Sequence, residues 1–534
     1  MGSSCKSKPM RNHIHYNTYL CASTQLEKPI VQQQYSEDEI VQDSVSSCDY
    51  EKERSDTKSF VLRSPDVSLN SPTQNNSVVI SKLHITSDDF VKLRNHNYLD
   101  YYSNERLLGV GSYGKVYLVR NKLTSRVEFK MLDQLRAMKQ VKRKQSVASR
   151  KCLREMEILE KLDHPFIVKA LEVFQDDQNY NMIIEFISGM DLQEDISNGK
   201  FTEEKASKIM NQLLLAISYI HHQGVVHRDI KPENILYQYN NGNDWIKLID
   251  FGISAKIRKN KKLSSQLGSM YFMAPEIFQK DYGKQIDIWA CGVTLFYMVQ
   301  KRYPFMGKTD QEMKSAIMSG HYTLDQGISP ELKSLLGKML QVNPNKRITA
   351  EQALHEDWFA KYNQGFQLNQ SVIQKLLNYN STSLFEELIF SLITYYGQNS
   401  DDSGQALQTF LCLDRDQDGQ ISKQELKQTI KSYNLNIENQ SKLIDNLYSS
   451  LNKQQDDTLT YKEFLAASVA SDKIQTRKCQ KLCFQLIDAD QDGKFSESDF
   501  CHLMGRKQAN LWHLLNQTDK TYITEEEFYG MFKQ

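Results

Sequence analysis

Two short runs hold the densest set of chemically capable side chains: His227-Arg228-Asp229-Ile230-Lys231-Pro232-Glu233-Asn234 and Leu248-Ile249-Asp250-Phe251-Gly252. A loop carboxylate such as Asp229 suits the task of orienting an attacking hydroxyl and taking its proton. Lys231 brings a cation to a phosphate in transfer. Asp250 and the amide of Asn234 offer hard oxygen ligands fit for Mg²⁺. Together these are the parts of a phosphoryl-transfer site. Asp and Asn also form ordinary turns, so one run alone would say little; both runs in this order say much more.

As they stand, HRDIKPEN and DFG resemble the protein kinases, and Lys231 resembles the serine/threonine branch. The resemblance implies ATP and Mg²⁺ as cofactors. The elements that must position the runs begin upstream, where Leu107 to Val119 reads as strand, glycine-rich turn and strand. Gly109, Gly111 and Gly114 let backbone N–H groups approach phosphate oxygens, beside Leu108, while Val116 points at the adenine. A dinucleotide fold would follow such glycines with a helix; here a strand follows. Two lysines could hold the phosphates, Lys130 and Lys139. In a strand, residue i−2 shares the face of residue i. For Lys139 that neighbour is Ala137, small enough to lie on an adenine ring; for Lys130 it is Glu128, whose buried charge would be costly. Lys139 is the expected phosphate lysine, and 128–134 an insertion bulging before its strand.

Further roles rest on the resemblance alone. Glu155, on the helix before Leu162-Asp163-His164-Pro165, stands where kinases pair a carboxylate with the lysine; Glu157 is the nearby alternative. Met182 to Gly189 resembles the hinge, with backbone groups of Glu185 and Ile187 facing the adenine edge and Ile184 at the back pocket. Asp191 and Glu233 form an acidic patch, implying protein substrates with Arg or Lys upstream of the accepting Ser or Thr. The activation segment is basic (Lys256, Arg258, Lys259, Lys261, Lys262), which makes Ser264 and Ser265 candidates for phosphorylation. Ser269 stands where the family usually has Thr. Arg347 is expected to pair with Glu276.

The chain has 534 residues, enough for three or four domains, and its 66 basic and 66 acidic residues cancel, which argues against nucleic acid as a partner. Nine scattered cysteines without metal-ligand spacing fit a reducing cytoplasm. The greasiest segment, Leu384 to Tyr396, is short and carries Glu386 and Glu387, so a soluble protein is expected. Gly2 and Cys5 resemble an acylation pair, myristoyl plus palmitoyl, able to attach the chain to a membrane. Lys6 stands where that motif wants Ser or Thr. Residues 1–97 lack any sustained apolar period and are expected to be a disordered arm.

Asp414 to Glu425 is a complete EF-hand loop: Asp414, Asp416 and Asp418 at positions 1, 3 and 5, the Gln420 carbonyl at 7, Glu425 at 12, and Gly419 at the turn. Asp488 to Asp499 is a second, with Asp488, Asp490, Asp492, the Lys494 carbonyl and Asp499. The shorter Asp499 predicts weaker Ca²⁺ binding and more Mg²⁺ competition. Each intact loop has a damaged mate. Asn452 to Glu463 has Gln454 at position 3 and Asp457 at the turn; Asn516 to Glu527 has Thr518, Lys520 and Thr521. Leu459 and Ile523 are expected to pair with Ile421 and Phe495 in short β-ladders.

Leu384, Phe385, Leu388, Ile389, Leu392 and Ile393 share one helical stripe. A calmodulin-like groove grips such a stripe; a core helix of the first EF-hand lobe is an equally good account. Kinase, amphipathic joint and EF-hands in one chain resemble the calcium-dependent protein kinases over residues 98–534. The resemblance implies an α+β two-lobed kinase fold at 98–359, an autoinhibitory junction at 360–403 and an all-α, calmodulin-like domain of two EF-hand lobes at 404–470 and 471–534. The joint is poor in Lys and Arg, which favours occlusion by docking over a basic pseudosubstrate. A monomeric kinase released by Ca²⁺ is the expectation. A calcium-responsive scaffold with a dead kinase fold, or a constitutive kinase with structural EF-hands, are the rivals.

Overall fold

The computed structural model describes residues 93–532 apart from 95–96, 112–113, 123–134, 144–145, 200, 239–244, 258–261, 363–364, 380–383, 397–400, 436, 452–456, 471–475, 505–511, 514 and 516–519. Gly2, Cys5 and the proposed insertion, with Glu128 and Lys130, lie outside the described residues.

The first lobe is a six-stranded sheet ordered β1-β5-β6-β4-β3-β2. Its strands are β1 (Leu93–Arg94), β2 (Tyr102–Gly111), β3 (Gly114–Asn121), β4 (Leu135–Lys142), β5 (Ala170–Gln175) and β6 (Asn179–Glu185). Helix α1 (Ser146–Leu159) packs on β4, β5 and β6. The glycine-rich turn closes where Gly111 faces Gly114. A Cβ on Gly114 would sit 2.1 Å from the Gln140 carbonyl oxygen, so only glycine lets β3 lie this close to β4. β1 corrects the arm's expected boundary: Leu93 and Arg94 pair in parallel with Val173 and Phe174, inside the stretch expected to be disordered. Two residues are too short to show a period-2 pattern, so the sequence carried no signal for them.

The second lobe follows the hinge: α2 (Leu192–Asn198), α3 (Glu203–His222), β7 (Val225–Val226), β8 (Ile235–Gln238), β9 (Trp245–Leu248), β10 (Ala255–Lys256), α4 (Gln285–Gln300), α5 (Asp310–Ser319), α6 (Pro330–Met339), α7 (Ala350–Leu354) and α8 (Asp357–Tyr362). Helix α3 is capped by the Thr202 side chain, which accepts from the Lys205 N–H, and is buried over most of its length because α4, α7 and α8 cover it. The catalytic runs are held between β7 and β8 and between β9 and β10. Buried Arg347 meets Glu276 through two hydrogen bonds of 2.5 and 2.9 Å, pinning the end of the activation segment to the helical lobe.

The joint is two helices, α9 (Gln370–Asn378) and α10 (Leu384–Tyr396), and the EF-hands clasp both. The first lobe contains α11 (Asp401–Leu413), β11 (Gln420–Ser422), α12 (Lys423–Ser432), α13 (Gln440–Leu451), β12 (Thr458–Thr460), α14 (Tyr461–Leu465) and a π-helical turn, Ala466–Ala470. The second has α15 (Arg477–Ile487), β13 (Lys494–Ser496), α16 (Glu497–Met504), β14 (Tyr522–Thr524) and α17 (Glu525–Gly530). α9 packs on α11 and α13; α10 packs on α15 and the π-helical turn, with Phe385 edge-on to Phe528 and Phe532. The apolar stripe is thus buried across both lobes. The ladders pair Ile421 with Leu459 and Phe495 with Ile523. This is the α+β fold followed by EF-hands that the resemblance implied. No helix of the described residues is long and apolar enough to cross a membrane.

Candidate active site and calcium loops

The cleft between the lobes gathers residues far apart in sequence. Lys139 on β4 lies 2.6 Å from Glu155 Oε2 and 3.2 Å from Asp250 Oδ1. Glu155, not Glu157, makes the contact. Burial works against the Lys139 ammonium, yet Glu155 and Asp250 together raise its pKa above the ordinary value. Burial also pushes the Glu155 carboxyl up, partly offset by the lysine. For Asp250, burial raises and Lys139 lowers; the lysine wins, and the carboxyl falls below its usual range. Asp250 sits at φ 62°, a left-handed conformation that costs a non-glycine residue about 1–2 kcal/mol.

Asp229 is held from three directions. Lys231 Nζ donates to Oδ2 at 2.6 Å, Asn234 Nδ2 donates to Oδ2 at 3.1 Å and to the Asp229 carbonyl at 2.8 Å, and Ser269 Oγ lies 3.2 Å from Oδ1. Because Asn234 spends its N–H groups on Asp229, its amide oxygen remains for a cation. Asp250 and that oxygen therefore fit Mg²⁺, whose ligands are oxygens. Beneath the loop, Asp287 on α4 accepts from the His227 and Arg228 N–H groups, both at 2.9 Å. This allows Arg228 its φ of 72° and lets its guanidinium reach the Ile253 carbonyl at 2.5 Å.

The residues expected to cover the nucleotide sit on β2, β3 and β4, at the end of β6 and just beyond it. Gly109 faces Val116, Val116 faces Lys139, and buried Ala137 lies between Leu118 and Ile184; Leu108 is on the same hairpin. Glu185 ends β6 with its carboxylate turned to Lys247, at 2.9 Å, and Ile187 is buried just beyond. Asp191 caps α2, accepting from the Glu194 N–H at 2.8 Å. Ser265 is buried, its carbonyl accepting from the Tyr282 hydroxyl, so its side chain does not stand ready for modification as its sequence context suggested. Arg258, Lys259 and Lys261 lie outside the described residues.

Both intact EF-hand loops are assembled. Asp414, Asp416 and Asp418 converge with ligand atoms within 4.8 Å of one another, as do Asp488, Asp490 and Asp492. Asp414 Oδ1 and Asp488 Oδ1 are buried with no hydrogen-bond partner among the described residues, as an oxygen reserved for a cation would be. Burial, then Asp418, Glu425 and Asp416, drives the Asp414 carboxyl well above its usual range, a repulsion that a divalent cation relieves. Glu425 accepts from the Arg415 and Ser422 N–H groups at 2.8 Å each; Asp499 reproduces this with Ala489 at 3.0 Å and Ser496 at 2.9 Å. The Gln420 and Lys494 carbonyls sit at the start of β11 and β13. The damaged mates use ion pairs instead: Lys520 with Glu527, and Lys423 with Asp457 at 2.8 Å.

The loops also touch the catalytic lobes, which sequence reasoning missed. Gly419 abuts Tyr219 on α3, and Asp163 ties the two together: its N–H donates to the Tyr219 hydroxyl at 2.8 Å and its Oδ2 accepts from the Lys462 N–H at 2.8 Å. In the second lobe, His502 stacks on Tyr101 with centroids 5.7 Å apart, and Tyr101 Oη lies 2.9 Å from its Nε2. No local motif marks such contacts.

Residues 102–359 match the protein kinase domain, and residues 407–431 match the EF hand. Calcium-dependent protein kinase 4 of Plasmodium falciparum (isolate 3D7) is 31% identical over 467 residues, 82% of this chain and 87% of that protein. Calcium-dependent protein kinase 3 of Plasmodium berghei (strain Anka) is 32% identical over 454 residues, 81% of this chain and 80% of that protein. A likeness that spans catalytic lobes, joint and EF-hands together is more than a shared kinase fold: the chain belongs to the calcium-dependent protein kinase family.

Proposed function

We propose that the protein is a Ca²⁺-activated serine/threonine kinase that transfers the γ-phosphate of ATP to protein hydroxyls. The observation that carries this is the joined set Lys139–Glu155–Asp250 beside a fully supported Asp229. ATP would supply the phosphoryl group, and Asp250 with the Asn234 amide oxygen would hold Mg²⁺, which would offset its negative charge. Glu155 fixes the Lys139 ammonium in the cleft. Asp229 orients the acceptor hydroxyl and takes its proton, while Lys231 keeps a positive charge alongside. Asp191 and Glu233 favour substrates with basic residues upstream.

Activation follows from what the EF-hands hold. With α9 and α10 clasped in their grooves, the joint is occupied away from the catalytic run; without Ca²⁺ the grooves close and the joint is released to obstruct the cleft. Contacts of the first calcium loop with Tyr219 and of His502 on α16 with Tyr101 support this reading over a purely structural role for the EF-hands. The test is ATP turnover with a basic serine peptide, in Ca²⁺ or in chelator, with Asp250→Ala as blank. Turnover only in Ca²⁺ is expected. Equal turnover in both refutes the regulation, and none in either refutes the enzyme.

A further inference from the structure

Between Asp250 and Glu276 the activation segment contains no Asp or Glu, so it brings no carboxylate of its own to Arg228, the cation next to Asp229. A neutral group reaches Arg228 from outside the segment. The hydroxyl of Tyr282, in the turn just before α4, accepts from Arg228 Nη1 at 3.4 Å and donates to the Ser265 carbonyl at 2.6 Å. Tyr282 is 2% exposed and Ser265 1%, so this contact is sheltered from bulk water. The Tyr282 backbone grips the segment a second time. Its carbonyl accepts from the Leu263 N–H at 2.9 Å, and its N–H donates to the Leu263 carbonyl at 3.1 Å. Lys262 and Asp281 add an ion pair at 2.6 Å, but both side chains are exposed and such pairs contribute little.

Just beyond the stretch held by Tyr282, the segment lies directly on the catalytic loop. A Cβ on Gly268 would sit 2.6 Å from the Arg228 carbonyl oxygen, and the Ser269 N–H donates to Asp229 Oδ1 at 3.3 Å. Arg228 is also fixed elsewhere: Asp287 accepts from its N–H at 2.9 Å, and the Ile253 carbonyl from its Nε at 2.5 Å. Its φ of 72° is one that a non-glycine residue keeps only when its surroundings impose it. The phenol oxygen of Tyr282 is thus shared by the segment that covers Asp229 and by the residue that precedes it.

We propose that Tyr282 is a positioning residue for phosphoryl transfer: its hydroxyl seats the activation segment on the catalytic loop and holds Arg228, and with it Asp229, in working geometry without a phosphate on the segment. A hydroxyl suits this place because it accepts from the guanidinium and donates to the carbonyl at once. A phenyl ring would fill the same space, yet Arg228 and the Ser265 carbonyl would both lose a buried contact, and the link between segment and loop would go with it. The backbone bridge to Leu263 would remain, so the segment would loosen around Ser265 rather than detach. The proposal rests on the kinase reading above and adds a residue that touches neither nucleotide nor acceptor.

The test compares full-length wild type with Tyr282→Phe, in Ca²⁺ with a basic serine peptide, each before and after phosphatase treatment. Initial rates are normalised to nucleotide sites counted with a fluorescent ATP analogue, which removes any difference in folded fraction. The KM for ATP and the rate of tryptic cleavage after Lys262, identified by mass, are read alongside. The wild type should keep its turnover after phosphatase. Tyr282→Phe should lower kcat by about tenfold, the size expected for lost buried hydrogen bonds, and speed cleavage after Lys262 by a similar factor. Its KM for ATP should stay put, because Lys139 and Glu155 belong to the other lobe. A kcat within about twofold of wild type overturns the proposal. So does a fall in kcat with unchanged cleavage, or one matched by a rise in the KM for ATP, which would mark general loosening. A wild type active only before phosphatase shows that a phosphate seats the segment; it overturns the role of Tyr282 and leaves the enzyme reading standing. No turnover under either condition overturns both.

Discussion

Gly419 and Gly493 occupy the same position in the two intact calcium loops, at φ +82° and +81°, yet their surroundings differ. A Cβ on Gly493 would meet nothing within 4 Å; on Gly419 it would sit 2.4 Å from Cδ2 of Tyr219. Alanine at either site is forced into the left-handed region at about 1–2 kcal/mol. At 419 alone it also drives a methyl group into an aromatic ring, an overpacking cost of about 1–3 kcal/mol unless the loop lifts off α3. Gly493→Ala should therefore weaken Ca²⁺ at its loop by about fivefold to thirtyfold, and Gly419→Ala should do so by a further factor of about 5 to 150. The assay is competition with a chromophoric chelator in the full chain, silencing the other loop with Asp499→Asn or Glu425→Gln. Repeating Gly419→Ala in a Tyr219→Ala background removes the ring, so the excess should vanish as a coupling of about 1–3 kcal/mol. Equal penalties at the two glycines, insensitive to Tyr219→Ala, would refute the claim that the first calcium loop rests on the catalytic lobe.

Glu276→Gln strips the charge from one side of the buried bidentate pair with Arg347, where the exposures are 3% and 0%. It should cost about 3–5 kcal/mol in the urea transition of the kinase lobes, and a loss under about 1 kcal/mol would contradict it. His164 is held neutral: burial lowers its pKa to about 3, and its Nδ1 accepts from the Phe166 N–H at 3.2 Å. The unfolded chain, with a histidine near the ordinary 6.5, then binds the extra proton first. Stability from this site is complete above about pH 6.5 and lost as pH falls towards 3, at about 1 kcal/mol between pH 6.5 and 5.5. Unfolding of His164→Asn, compared with wild type across that interval, should show a shallower slope; equal slopes would refute it. Asp499→Glu should tighten Ca²⁺ over Mg²⁺ at the second loop by about fivefold in the same chelator assay, because the longer stem reaches the ion bidentately; an unchanged ratio would show that Asp499 already reaches.

What the sequence disclosed follows from how local each constraint is. Asp229, Lys231 and Asn234 meet through side-chain hydrogen bonds within one short loop, so that arrangement is written as a short motif. Glycine at 419 and 493 is demanded by a φ that other residues resist, and that too is written at one position. The choice of Lys139 over Lys130 needed only the neighbour two residues back, since a strand repeats every second residue. The apolar stripe of α10 was equally plain, but periodicity shows that a face is buried and not against what. Phe385 meets Phe528 and Phe532, nearly 150 residues on, and nothing within the stripe encodes that choice.

The same limit explains why the contacts between calcium loops and kinase lobes went unread. Tyr219, Asp163 and Lys462 look like an ordinary helix aromatic, a turn acid and a surface lysine, and in isolation each would be. Their arrangement gives Asp163 a double hold, on Tyr219 through its N–H and on Lys462 through its carboxylate. Asp163 follows one turn of chain after Leu159, the last residue of the helix bearing Glu155. The first EF-hand loop is therefore linked to the Lys139–Glu155 pair by the Tyr219 ring, the Asp163 N–H on its hydroxyl, and the turn of chain from Asp163 back to the helix bearing Glu155. Coupling of this kind is reciprocal. On the proposed regulation, nucleotide bound beside Lys139 should tighten Ca²⁺ at Asp414 to Glu425 in the same chelator assay; an affinity unchanged by nucleotide would refute coupling through Asp163.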